Sequence, residues 1–158
     1  MRRTRFCTTL SCCLLALAAL ASAQSRKPGL WTITSTTSMA APGANTAEHP
    51  TTMGPHSVDV CLTQALIDKF GAPLPKLSGS CQITRLDKKA NSVSAEMVCT
   101  GAATGKATME SSWTASQATG SIHFVGTAPR PMEWTSKSTS VFKSADCGAV
   151  QPFPMPTQ

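Results

Sequence analysis

From residue 81 onward the chain alternates apolar and polar side chains in short runs, and each run ends in a turn. Val93, Ala95, Met97 and Cys99 occupy every second position, as do Ala107, Met109, Ser111, Trp113 and Ala115. Lys106, Thr108, Glu110, Ser112 and Thr114 fill the positions between. A period of two puts one set on each face of a β-strand. Ile122, Phe124 and Gly126, then Met132 and Trp134, continue the apolar face. Turn-forming residues at 87–90, 101–105, 116–119 and 128–131 separate strands predicted at 81–86, 91–100, 106–115, 120–127 and 132–143. Parallel strands need a crossover of a dozen or more residues, so connections this short join antiparallel neighbours.

Upstream, residues 30–39 are rich in Trp, Ile and Thr and form a first strand. Residues 40–57 hold Ala, Pro, Gly, Asn, Thr and His with no period and read as a long loop. A second short strand follows at 58–62. Thr63 is placed to cap a helix, Leu62, Leu66 and Phe70 share one helical face, and Gly71 stands where that helix stops. The segment 149–158, with Pro152, Pro154 and Pro156, reads as a disordered tail. The predicted fold is mainly β: a single domain over 24–148, an antiparallel meander of about seven strands in a curled sheet or half-barrel, with one short helix against its apolar face.

The first residues have a different character. Arg2, Arg3 and Arg5 precede an apolar run at 14–20 and the small triplet Ala21-Ser22-Ala23. These are the three parts of a secretory signal peptide, with cleavage after Ala23 and export out of the cytoplasm. The apolar run falls short of the roughly 20 residues that a membrane-spanning helix needs. Three of the 14 basic residues leave with this segment, so 11 remain against 8 acidic ones, a net of +3. With no basic cluster beyond pairs such as Lys88-Lys89, that charge supplies no nucleic-acid footprint.

Cys7, Cys12 and Cys13 lie within the predicted signal peptide; Cys61, Cys81, Cys99 and Cys147 remain. An even number in an oxidising compartment reads as disulfides, and no C-x-x-C spacing points to zinc. Four cysteines pair in three ways. If Leu86 pairs near Val93 or Ser94 across the 87–90 turn, opposed positions in that hairpin have indices summing to about 180. Cys81 and Cys99 then face each other within bonding distance. Cys61 is left to join Cys147.

The opening Lys27-Pro28-Gly29-Leu30-Trp31, the Val60-Cys61-Leu62-Thr63 before the helix, Cys81, Cys99 and the closing Asp146-Cys147-Gly148 resemble a family of bacterial exported proteins, domain of unknown function 3617. The likeness covers 27–148. The residue after the Trp is commonly acidic in that family and is Thr32 here, and the helix commonly opens Leu-Thr-Pro where Gln64 follows Thr63 here. The resemblance implies a periplasmic protein, with no established activity to carry over.

The chemical motifs are sparse. Gly101 to Thr108 looks like a phosphate loop, but it has three residues between its glycines where that loop has four, and Ala107 follows the lysine. It reads as a hairpin. His49 and His56 lie in the predicted loop, and His123 sits between apolar positions and faces solvent. No nucleophile has a base in local reach, so the chain is read as a non-enzyme without cofactor. Met39, His49, Met53 and His56 are soft ligands of the kind copper takes, but their irregular spacing reads as solvated loop and no metal site is assigned. The inner face carries Met97, Met109, Trp113, Phe124, Met132 and Trp134, which either line a pocket for a small apolar or lipidic ligand or fill a core. Two functions follow: a binding module for such a ligand, or a structural or envelope-stress accessory protein acting through its surface.

Overall fold

Each of the seven strands owes its place to the alternation of side chains or to the backbone of a neighbour. The computed structural model describes residues 25–40, 50–74, 80–101 and 103–155. The predicted signal peptide with its expected cleavage site, His49 and the last three residues lie outside the described residues. The elements are β1 (Gly29–Ala40), β2 (Thr51–Leu62), α1 (Gln64–Phe70), β3 (Ser80–Lys88), β4 (Ser92–Thr100), β5 (Thr104–Trp113), β6 (Gln117–Ala128) and β7 (Met132–Ser144). They form one antiparallel sheet in the order β2-β1-β7-β6-β5-β4-β3. From β3 to β7 the chain is a simple meander. β1 then lies along β7, with Trp31 opposite Phe142, and β2 forms the outer edge. β2 and β3 do not meet, so the sheet stays open.

The period of two is visible in burial. In β4, Val93, Ala95, Met97 and Cys99 are buried and the residues between them are exposed. In β5, Ala107, Met109 and Trp113 are buried. α1 covers this face through Leu66, Ile67 and Phe70, and Leu62 just ahead of it is as deeply buried. At roughly 2 kcal/mol for each fully buried side chain of this size, the helix is held by packing far more than by its seven-residue length. Thr63 Oγ1 accepts from the Leu66 amide at 3.2 Å, which caps the N-terminus. Gly71 closes the helix at φ +74°, and the Trp113 ring lies where its Cβ would stand.

Two expectations are corrected. Within the long loop expected at 40–57, residues 51–57 are strand, because β2 begins at Thr51. Residues 51–57 are exposed on both faces of an edge strand, so no apolar period marks them. Their order comes from the β1 ladder and from cross-strand hydroxyl contacts such as Thr34 with Ser57 at 2.8 Å. Of the segment read as a disordered tail, the described residues 149–155 also take a defined course. Pro152 bridges to Cys61, the Phe153 amide donates to the Cys61 carbonyl at 2.8 Å, and the Phe153 ring packs against the core.

The disulfides are Cys61–Cys147 and Cys81–Cys99, with Cα separations of 5.5 and 4.0 Å. Cys81 stands directly opposite Cys99, as the hairpin argument requires. Nearer the turn the register differs from that argument: Leu86 pairs with Ala95, not with Val93 or Ser94. The shift arises between Ile83 and Arg85, where Thr84 is an extra residue whose hydroxyl donates to the Glu96 carbonyl. It lies on the turn side of the cysteines and leaves their pairing intact.

Candidate functional site

The apolar half of the inner face is a filled core. Of the six side chains read as either pocket lining or core, Met97, Met109, Trp113 and Phe124 are all at most 5 % exposed. Met132 and Trp134 are half-buried at its margin, where Trp134 stacks on Phe124 with ring centroids 5.5 Å apart. Met109 borders a cleft.

That cavity comes from missing bulk. The register aligns Ser35 of β1, Ser138 of β7, Gly120 of β6 and Ser111 of β5 in one row across four strands. One neighbouring row brings Ile33, Ser140, Ala118 and Trp113 together; the other holds Thr37, Ser136, Ile122 and Met109. Where small side chains fill the middle row, the sheet leaves a trough. Ala72 and Pro73, just past α1, and Phe153 from the tail wall it from above. The resulting cleft is about 260 Å³, with Ile33, Met109, Ile122 and Phe153 as its larger apolar walls. Ligand pockets commonly start near 300 Å³, so this one suits a small guest. A second, wider groove of about 630 Å³ shares Ser111, Gly120 and Ser138 with it; Asp87, Lys89, Glu110 and Lys137 give that groove balanced charge.

Arg26 also lines the cleft and is only 2 % exposed. Its guanidinium lies 4.4 Å from the centroid of the Trp31 ring. Trp31 is itself fixed, since Nε1 donates to the Lys27 carbonyl at 2.9 Å and the ring meets Phe142 edge-on. The Lys27-Pro28-Gly29-Leu30-Trp31 segment thus folds back so that Arg26 stacks on the ring five residues later. The Arg26 Nε is buried with no hydrogen-bond partner among the described residues. Burial pushes its pKa down to about 10. Glu110, the one carboxylate among the described residues that borders the cleft, forms no ion pair with it.

The hydroxyls differ in what they have left to give. Ser138 and Ser111 donate to the carbonyls of Gly120 and Thr119, at 3.4 and 2.9 Å. Ser136 accepts from Thr37 at 3.1 Å, and its own proton has no acceptor among the described residues.

Reading the sequence for apolar bulk missed this site. The signal was present in the alternating Ser136, Ser138 and Ser140, inward positions of a strand that carries Trp134 and Phe142 on the same face. The other sites considered are dispersed. Met53 and His56 stand on β2 opposite Thr37 and Ser35, and Met39 opposite Thr51. His123 is on the outer face, 2.9 Å from Glu133. Among the described residues no three His, Cys, Asp or Glu side chains converge on a metal position. No helix among them is long and apolar enough to cross a membrane.

An open antiparallel meander with two disulfides, one covering helix and a cleft beside it defines the class. The chain belongs to the family described as protein of unknown function (DUF3617), which matches residues 26–147. No curated protein and no solved structure matches it.

Proposed function

We propose that this chain is exported to the periplasm and acts there as a binding module for a small apolar or lipidic molecule, held in the cleft between the sheet and the segment after α1. The observation that carries the reading is the cleft itself: a row of small residues keeps space open beside a core that is otherwise filled. The Arg-rich start, the apolar run and Ala21-Ser22-Ala23 support export, and the disulfides suit an oxidising compartment. The chain is read as a non-enzyme.

Protein recovered from a periplasmic fraction should begin at Gln24 or its cyclised form. Fluorescent fatty-acid analogues and the neutral alcohol octanol should bind it and change its tryptophan emission, because Trp31 lies under Arg26 at the cleft. A full-length N-terminus would remove the export reading. No binding of any of these probes at high micromolar concentration would leave the surface-acting accessory role in its place.

A further inference from the structure

We infer that the cleft takes an amphipathic oxyanion, with a carboxylate or phosphate group against Arg26 and a short apolar body along the trough between Ile33, Ile122 and Phe153. The inference rests on the binding reading above and names the chemistry of the ligand.

Arg26 is unanswered as a cation among the described residues. A guanidinium presents five N–H donors in a planar fork that matches carboxylate and phosphate oxygens. Here it is 2 % exposed, its Nε has no partner, and no carboxylate among the described residues pairs with it. A buried cation without a counter-charge is costly, so folded chains pair such groups or keep them at functional sites. The Trp31 ring holds one face of the guanidinium and so restricts its orientation. Its in-plane N–H edges are what a ligand anion would engage.

The surroundings of Arg26 are mostly apolar. The walls are apolar at Ile33, Met109, Ile122 and Phe153, which an inorganic anion alone would not use. A fully apolar guest would leave the cation and the Ser136 proton unanswered. A guest with an anionic end and an apolar body answers both. A water molecule takes about 30 Å³ in the liquid, so about 260 Å³ is the room of roughly nine waters and matches a chain of about eight carbons.

The test compares octanoate, octyl phosphate and octanol on the native protein at neutral pH, by tryptophan emission and calorimetry, and repeats the series with Arg26→Met. At least one of the two anions should bind about tenfold or more tightly than octanol. In Arg26→Met that advantage should vanish while octanol binding persists, which also shows that the variant has kept the cleft. The better anion identifies the head group. If octanol binds the native protein as well as both anions do, the oxyanion inference is overturned and the apolar binding reading stands. If none of the three binds, both fall. An anion preference that survives in Arg26→Met would assign the head group to other residues and overturn the role of Arg26.

Discussion

At the scale of single residues, Arg26 stands out because its position works against the fold. Its folded-state pKa is lowered to about 10 by burial, so the folded state disfavours the charged form. For a base with a depressed pKa the penalty is fully present below about pH 10 and lifts as pH rises toward the unfolded value. A shift of this size corresponds to about 3 kcal/mol, and a cation–π contact of about 1 to 2 kcal/mol offsets part of it. Arg26→Met should therefore raise the free energy of unfolding at pH 7 by roughly 1 to 2 kcal/mol in urea melts. The gap between variant and native protein should narrow above pH 10, where the native guanidinium begins to lose its proton. A variant that is less stable than the native protein at pH 7 would mean that stacking on Trp31 outweighs the desolvation.

At the scale of elements, the sheet divides into a protected middle and two exposed edges. β6 lies at the centre of the strand order, with β5 and β7 beside it, while β2 and β3 have a partner on one side only. Hydrogen exchange should be slowest in residues 107–113 of β5 and 118–125 of β6 and fastest in residues 51–57 of β2. β2 contains Pro55, which cannot donate to a ladder and is tolerated because this strand is an edge. Amides in 51–57 as slow as those of β6 would show that something covers that edge. α1 behaves as part of the middle, because Leu66 and Phe70 are wholly buried and Gly71 abuts Trp113.

For the whole molecule, the two disulfides do different work. Cys81–Cys99 closes 18 residues within one hairpin, whereas Cys61–Cys147 spans 86 residues and ties the strand before α1 to the chain after β7. Chain-entropy reasoning assigns about 3 kcal/mol to the first and about 4 to 5 kcal/mol to the second. Replacing Cys61 and Cys147 together by Ser should lower stability more than replacing Cys81 and Cys99 together, in parallel denaturant titrations. The larger loss should also reach the cleft, since Phe153 is held at Cys61 by the chain that follows Cys147. An equal loss from both pairs would mean that the C-terminal segment docks by its own packing.

Much of this architecture was written locally. The period of two, the short turns, the Thr63 cap, the Leu62-Leu66-Phe70 face and the Gly71 stop act between residues close in the chain, so the sequence alone determined the meander, the helix and its buried side. The Cys81–Cys99 bond was legible for the same reason: one hairpin sets its register. The tertiary structure decided what depends on distant partners. β1 joins β7 across about a hundred residues, and that pairing supplies two of the three strands that put Ser35, Ser138 and Gly120 in a row. β2 extends to Thr51 only because β1 offers it a ladder, and Phe153 reaches the core only because its segment is fastened at Cys61. The cleft is an absence of bulk summed over four strands and closed by Arg26 and the tail. No window of sequence contains it, because its volume exists only once the register of the whole sheet is set.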